Sequence, residues 1–335
     1  AGGRPLHQKA DASERLSWGA SLCIKSYAVA PLLLLVLQFA ALEAWAQSNP
    51  CKVGGTTATC EGDQSAGIIL SPNVPPQNLP ASVRNFIMQN LKPPTITPAA
   101  GTDGILYQSL VPAGQPPRSI SSEFVANIRT VNSSGVSFSL TGANGAPGTN
   151  ASATRSSTRG SPGVAPGTMS LRGKGFVVSS GSNSAAVFAE IVNGNGGKGG
   201  NAFTVGGIIP IGRNSKTGGT GGAGGRIDVA NIDDWTIVNT GPSEAHGIYV
   251  RSIGGRGGDG GDAAGTQSSS RAASGGSAAN IVFQSAPEGS LSITTGGANS
   301  HGLFLSQQSG IGGSGGARAT GGAGGDGGNG GNGSR

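Results

Sequence analysis

Few residues in this chain have the types and spacing that metal chemistry requires, and two histidines are the first to consider. His246 and His301 occupy the same position in two copies of a repeated phrase. Imidazole nitrogens are common zinc ligands. If each copy adds two or more stacked strands, the rings lie roughly 10–15 Å apart and cannot share an ion. The sequence therefore predicts no metal site and no cofactor.

Acidic residues offer two further candidates for chemistry. Asp233 and Asp234 are adjacent, and paired carboxylates perform glycoside hydrolysis. Neighbours in a strand point to opposite sides, however, so we interpret this pair as a solvated turn. Residues 254–259 match most of a calcium-binding nonapeptide, but Gly261 takes its apolar position and the unit is not repeated in tandem. These patterns predict a protein that is not an enzyme.

Cysteines give a structural prediction instead. The chain has three of them, and Cys23 lies in an N-terminal segment that we expect to be removed. Cys51 and Cys60 remain, on either side of a Val-Gly-Gly turn. An even cysteine count in an exported chain predicts a disulfide, whereas two thiols alone make a poor metal site. We predict a Cys51–Cys60 disulfide.

The N-terminal segment has the pattern of a secretory signal peptide. Basic residues precede an apolar run over residues 27–42, and small residues then flank a tryptophan. A membrane anchor is the alternative, but Pro31 and Gln38 leave the run shorter than the roughly 20 apolar residues that a spanning helix needs. We predict residues 1–46 as a signal peptide. The predicted cleavage site comprises Ala44, Ala46 and Gln47, with the cut after Ala46.

Composition argues against an ordinary globular domain. Glycine supplies 63 of 335 residues, aromatic residues are 4% and charged residues 11%, against averages of roughly 7% glycine and about 25% charged. So few large side chains predict a thin core spread along a repeat structure, or disorder. The net charge is +6, but the basic residues are scattered singly rather than clustered, so we expect no nucleic-acid partner.

Three stretches align without a gap, and each is an apolar strand-like run followed by a glycine tract. They are residues 185–202, 246–263 and 301–318. Such a repeat predicts units that bury their apolar faces against one another. A β-sandwich is the alternative, but the gapless repeat favours an all-β, right-handed parallel β-helix (a solenoid). Its long glycine-rich loops would lie outside the coil and be partly disordered. Their three-residue period is compatible with a polyproline-II-like path, although a flexible solvated loop fits better.

Changes in composition divide the chain into five parts. The signal peptide is followed by a disulfide-containing N-terminal cap, and then by a proline-rich segment that includes the first β rungs. A flexible loop rich in Ser, Thr, Gly and Pro separates these from the β-helix repeats with their glycine-rich tracts. The boundaries are 1–46, 47–70, 71–142, 143–174 and 175–335.

Three phrases in this order resemble the start of a Gram-negative autotransporter (type V secretion) passenger, of the glycine-rich repeat type. They are the cysteine-bracketed opening at 51–68, Pro-Ala-Ala-Gly-Thr-Asp-Gly-Ile at 98–105 and Gly-Ile-Tyr-Val-Arg-Ser-Ile-Gly-Gly at 247–255. The resemblance implies that residues 86–91 form a strand, although apolar residues there also fall at helical spacing. We adopt the strand.

The resemblance implies an exported, non-catalytic structural or adhesive module that crosses the periplasm to the cell surface. Its partner would be a host surface or an extracellular glycan or protein. Such passengers end in an outer-membrane translocator barrel, and the sequence lacks the alternating ten-residue segments of one, so the translocator is expected as a missing partner. Two alternatives stay open: a β-helical polysaccharide-active enzyme, and a disordered glycine-rich surface or matrix protein.

Overall fold

The computed structural model describes residues 51–70, 83–91, 95–204, 212–265, 267–319 and 323–332. Every described residue belongs to one compact unit, Ala46–Arg335. The predicted signal peptide, with Ala44, Ala46 and Gln47, lies outside the described residues.

Every regular element among the described residues is a β-strand, and no helix occurs there. The strands are β1 (Lys52–Gly54), β2 (Thr57–Gly62), β3 (Ile68–Leu70), β4 (Asn85–Leu91), β5 (Thr95–Ile96), β6 (Ile105–Val111), β7 (Ile120–Arg129), β8 (Val136–Gly142), β9 (Thr168–Ser179), β10 (Ala185–Val192), β11 (Phe203–Thr204), β12 (Gly212–Arg213), β13 (Arg226–Asn239), β14 (His246–Ile253), β15 (Asn280–Gln284), β16 (Leu291–Thr295) and β17 (Leu303–Gln308). The strand predicted over 86–91 is confirmed by β4.

The strands form two main sheets, and the chain passes repeatedly from one to the other. Sheet A runs β1-β2-β4-β7-β9-β13, with β15 and β16 both beside β13 and β5 beside β7. Sheet B runs β3-β6-β8-β10-β14-β17. Within both sheets the strand pairs are parallel, except the β1–β2 hairpin. The prediction of an all-β chain with parallel strands is confirmed.

Alternating side chains explain why these segments are strands. Along β7, buried and exposed residues alternate from Ile120 to Arg129, so one face of the strand meets the core and the other meets solvent. Strand β8 alternates in the same way. An amphipathic period of two is incompatible with a helix and specifies the register of each strand.

The apolar core lies between the two sheets. Phe86 of sheet A packs against Tyr107 of sheet B with ring centroids 4.9 Å apart, and Tyr107 stacks on Phe138 at 5.5 Å. Trp235 and Phe124 make a further edge-to-face pair at 5.5 Å. All of these rings except that of Tyr107 are less than 2% exposed, and burying each contributes about 1.5–3 kcal/mol.

The gapless repeat corresponds to strands stacked in register. Val187 of β10 lies opposite Ile248 of β14, and Ile248 lies opposite Leu303 of β17. Each copy of the repeat therefore contributes a single strand to sheet B. The three copies therefore lie directly beside one another in sheet B, although we expected each copy to add two or more stacked strands.

The glycine tracts differ from the loops that we predicted outside the strands. They form eight extended glycine segments that continue the strands in two layers. Layer B follows the strands of sheet B and layer A lies beside it, mostly leading into sheet A. Layer B comprises 143–151, 193–202, 254–263 and 309–318, and layer A comprises 157–166, 214–225, 269–279 and 323–332.

Neighbouring glycine segments within a layer are joined by a hydrogen bond at every third residue. In layer B, the N–H of Gly196 donates to the carbonyl of Arg256 (2.8 Å) and that of Gly199 donates to Asp259 (2.9 Å). Both partners advance by three residues, so the segments are parallel. Because polyproline II has three residues per turn and no internal hydrogen bonds, this period is the one that such a path requires.

Between the layers the segments pair in the opposite direction. The N–H groups of Gly194, Gly197 and Gly200 donate to the carbonyls of Val164, Ser161 and Thr158 at 2.9, 2.9 and 3.0 Å. One partner advances as the other retreats, so the two layers are antiparallel. The segment 143–174, predicted as a flexible loop, contains two of these paired segments and the start of β9.

Glycine is required here because backbone packs directly on backbone. A Cβ on Gly196 would overlap the carbonyl oxygen of Gly219, and one on Gly197 would overlap that of Ala146. Larger residues would force the layers apart and break the hydrogen bonds between them. Composition suggested solvated loops because glycine lacks a side chain to bury, but the same property allows the backbones to come into contact.

Asparagine and aspartate at the third position of the triplets complete the pairing. The N–H of Asn195 donates to Oδ1 of Asn144, and the N–H of Arg256 donates to Oδ1 of Asn195, both at 2.8 Å. The backbone N–H at this position of the triplet makes no hydrogen bond to a carbonyl of either layer. It donates instead to a side chain of the preceding glycine segment. The same contact joins Asn201 to Asn150, Asp262 to Asn201, Ser314 to Asp259 and Ala317 to Asp262.

Candidate functional site

The outer face of sheet B carries a row of aromatic side chains, one from each of three neighbouring strands. Phe188 of β10, Tyr249 of β14 and Phe304 of β17 occupy the same register position. Their sequence neighbours Val187 and Ile248 are fully buried, so the alternation of each strand turns the rings outward. We call these three rings, together with His246 and His301, the aromatic ladder.

Neighbouring rings of the ladder lie at about the strand spacing, with an interplanar angle of 63° between Phe188 and Tyr249 and of 41° between Tyr249 and Phe304. The ring centroids of Phe188 and Tyr249 are 5.4 Å apart, and those of Tyr249 and Phe304 are 5.0 Å apart. Adjacent strands lie about 4.8 Å apart, so in-register strands place each ring next to the ring of the neighbouring strand. Phe304 is 37% exposed, which leaves much of its ring open to solvent.

The two histidines lie next to each other, and the predicted separation of 10–15 Å is wrong. Their ring centroids are 5.4 Å apart with an interplanar angle of 10°. The reason is that one repeat adds one strand to sheet B. His246, the first residue of β14, therefore lies beside His301, which precedes the neighbouring strand β17. The backbone N–H of His301 donates to Nδ1 of His246 at 3.2 Å, which directs the proton of neutral His246 to Nε2.

Electrostatics keep His246 neutral at physiological pH. Partial burial lowers the pKa of His246 and the adjacent His301 lowers it further, while Glu244 acts in the opposite direction. A neutral imidazole presents an apolar ring face and one N–H donor. His246 therefore extends the aromatic surface rather than adding a cation to it.

A charged pair lies on the same face, two residues further along the strands. Arg251 of β14 forms a salt bridge with Glu190 of β10, and Ser139 of β8 lies beside Glu190 at 3.4 Å. Glu190 is 9% exposed and Arg251 is more open. The pair supplies a hydrogen-bonding edge to the aromatic surface.

Rings, charges and loop polar groups enclose a groove of about 350 Å³ on this face. Its lining residues include aromatic rings and hydroxyl, amide and carboxylate groups. Apolar surface with a few fixed polar groups is the usual composition of a small-ligand site. The groove is lined by Ser134, Asn183, Ser184, Ala185, Phe188, Glu244, His246, Tyr249 and Arg251.

The predicted disulfide is confirmed, and the structure shows what it joins. Cys51 and Cys60 form the bond with Cα atoms 4.2 Å apart. Cys51 immediately precedes β1 and Cys60 lies in β2, so the bond closes the hairpin at the edge of sheet A. Both cysteines belong to the buried core, which gives the bond a structural role.

The two adjacent aspartates lie in a bulge of β13 rather than in the predicted turn. The register with β9 shifts between Asn231 and Trp235, which leaves this part of β13 unpaired with β9. A side-chain hydrogen bond from Lys174 lowers the pKa of Asp233, and the backbone N–H of Ser290 lowers that of Asp234. Both carboxylates are held ionised by these structural contacts.

Other candidates have structural partners as well. Asp259, from the calcium-like phrase, accepts hydrogen bonds from Arg256 and from the backbone of Ser314. Among the described residues, no three His, Cys, Asp or Glu side chains group closely enough to hold a metal ion. In the same residues, no helix is both long and apolar enough to span a membrane.

Sequence reasoning missed the aromatic ladder, although the necessary signal was present. Aligning the three repeats places Phe188, Tyr249 and Phe304 in one column and His246 with His301 in another. Outward aromatic residues in one column of a stacked repeat indicate a ladder directly.

No family model matches the chain, and no curated protein matches it. Among solved structures, a springtail antifreeze protein from Granisotoma rainieri, described as a nine polyproline type II helical bundle, is similar at 20% identity and a TM-score of 0.11. The match covers 58% of this chain and 95% of that chain.

Proposed function

We propose that this chain is an exported, non-catalytic adhesive module that binds extracellular glycan through the aromatic ladder. In this proposal it is the passenger part of an autotransporter and acts at the cell surface of a Gram-negative bacterium. The observation that carries the proposal is the row of in-register rings on the outer face of sheet B.

A right-handed parallel β-helix is the architecture that we propose for the described strands. Regular passage of the chain between two parallel sheets supports it, because the chain adds strands to the two sheets in turn. Stacking of this kind lengthens the structure and repeats the same surface from one strand to the next. The glycine segments would extend each coil beyond its strands.

The ladder suits a sugar because its neighbouring rings form an apolar surface beside fixed polar groups. Sugar rings have apolar faces that pack on aromatic rings, while their hydroxyls need donors and acceptors at the rim. Glu190, Arg251 and Asn183 supply such groups next to Tyr249. An exposed aromatic surface of this type marks an interaction site.

Two features support export and a structural role. The disulfide between Cys51 and Cys60 fits an oxidising compartment. Regular hydrogen bonding of the glycine segments favours a folded module over a disordered glycine-rich matrix protein. The proposed cleavage after Ala46 is tested by sequencing the N-terminus of the secreted chain, which should begin at Gln47.

Binding to an array of neutral and acidic oligosaccharides tests the proposal. We expect Tyr249→Ala and Phe304→Ala each to weaken glycan binding by about tenfold, because buried aromatic contacts dominate such sites. Phe176→Ala is the matched control, since Phe176 is a half-buried ring in β9 of sheet A, under Arg129. The absence of glycan binding by the folded wild-type protein, or equal losses in all three variants, would contradict the proposal.

A further inference from the structure

A second cavity, of about 400 Å³, lies next to the end of β6 and is separate from the aromatic ladder. Two arginines, Arg84 and Arg118, are among its lining residues, and none of the described residues that line it is a carboxylate. Tyr107, Gln108 and Gln115 add hydroxyl and amide groups. A cavity of this size can enclose a small organic ligand.

Arg118 is held in place before any ligand arrives. Its Nη1 donates to Oγ of Ser109 at 2.6 Å, and its backbone N–H donates to the carbonyl of Pro166 at 2.6 Å. Ser109 is only 6% exposed. A guanidinium has five N–H donors, so this contact fixes its position and leaves other donors available.

Arg84 is anchored through its backbone between two neighbouring segments. Its N–H donates to the carbonyl of Thr56 at 2.7 Å, and its own carbonyl accepts from the N–H of Ser121 at 2.8 Å. The pairing of β4 with β7 therefore places Arg84 beside the start of β7, two residues after Arg118. Within the described part of the chain, neither arginine forms a salt bridge.

Tyr107 also lines the cavity, and its buried hydroxyl is hydrogen-bonded to Ser109 and Arg118. Burial raises the pKa of its hydroxyl, while Ser109 and the Arg118 cation act in the opposite direction. The hydroxyl therefore stays protonated at neutral pH. Among the described lining residues, the cavity thus has two cations and no carboxylate to neutralise them.

From this arrangement we infer that the cavity binds a carboxylate-bearing sugar, a uronic acid residue. Arginine forks match the two oxygens of a carboxylate in a bidentate manner. The amide of Gln115, another lining residue, suits a sugar hydroxyl. This inference stands apart from the proposed role of the aromatic ladder, since the two sites share no lining residue.

Isothermal titration calorimetry of the whole secreted protein with D-glucuronate tests the inference. D-glucose and inorganic phosphate are the comparison ligands, and oligogalacturonate distinguishes a polymer-borne uronate from the free acid. We expect glucuronate or oligogalacturonate to bind, glucose to bind at least about tenfold more weakly, and phosphate likewise. No binding of either uronate, or equal binding of phosphate, would overturn the inference.

Variants assign the binding to this cavity. Arg84→Gln replaces an exposed side chain and should weaken uronate binding by about tenfold. Arg118→Lys keeps the charge but removes the bidentate fork, so it should also weaken binding. Arg172→Gln is the control, since Arg172 is exposed in β9 and outside the cavity; an equal loss in this variant would overturn the assignment. Tyr249→Ala should leave uronate binding here unchanged, which separates this site from the ladder.

Discussion

Each repeat combines a β half and a glycine half. The two halves differ in what lies between sheets A and B on the one hand and between glycine layers A and B on the other. In the β half, the side chains of Val187, Ala189 and Ile191 fill the space between sheets A and B and are fully buried. In the glycine half, which continues the same strand over 193–202, backbone amides of one layer bond directly to carbonyls of the other. Sheets separated by side chains lie about 10 Å apart, whereas glycine layers A and B are joined by direct backbone hydrogen bonds. The distance between the two sides of the molecule therefore decreases from the β half to the glycine half.

The two halves consequently depend on different forces. Burial of apolar side chains stabilises the β half in proportion to the area removed from water. The glycine half gains about 0.5–1.5 kcal/mol per hydrogen bond and loses more backbone entropy per residue than any other sequence would. We infer that the β half sets the register and that the glycine half follows it.

The largest expected effect lies in the β half. Trp235→Ala should lower the free energy of unfolding by about 3–5 kcal/mol, because it leaves a large cavity beside Phe124. Trp235→Phe should cost much less, since the indole N–H of Trp235 has no hydrogen-bond partner among the described residues. Urea denaturation followed by circular dichroism measures both. Equal losses in the two variants would show that cavity size does not determine stability here.

The corresponding experiment in the glycine half adds a single methyl group. Gly196→Ala should cost about 2–3 kcal/mol, because its Cβ would overlap the carbonyl of Gly219. Gly327→Ala is the matched control in a glycine segment, since a Cβ there would have its nearest neighbour 3.8 Å away. Denaturation midpoints should separate the two variants. A wild-type midpoint for Gly196→Ala would mean that the layers are not in contact.

These comparisons show how much of the molecule could be predicted. Strands such as β10 and β14 were evident because apolar residues recur in register, and the disulfide was evident from two cysteines in an exported chain. The glycine layers were not, because glycine has no side chain whose pattern reports what it packs against. The proximity of His246 and His301 was missed because sequence spacing gives the length of a repeat and not how many strands it adds to one sheet.

A smaller effect is expected from the side chains that link glycine segments. Asn195→Ala removes the acceptor for the N–H of Arg256 and should cost about 1–2 kcal/mol if that amide is left unsatisfied. Asn195→Asp keeps an acceptor oxygen and should cost less. Thermal denaturation of the two variants measures the difference in their stability. Identical losses would indicate that the contact does not contribute.

The smallest effect expected is a pH dependence from the aromatic ladder. The pKa of His246 is lowered in the folded chain, so the folded state binds this proton less readily than the unfolded state does. The stabilisation is therefore complete above about pH 6.5, the ordinary value, and is lost as the pH falls through the lower folded pKa. Thermal midpoints of wild type and His246→Gln should converge above this range and diverge below it, with the wild type losing more stability.

Amide hydrogen exchange measured by NMR tests the difference between the two halves most directly. The N–H groups of Gly194, Gly197 and Gly200 all donate across the layers, so they should be protected to a degree comparable with the amides of β10. Exchange at the rate of an unstructured chain in these glycines, alongside protected β10 amides, would contradict the account and restore the glycine tracts to solvated loops.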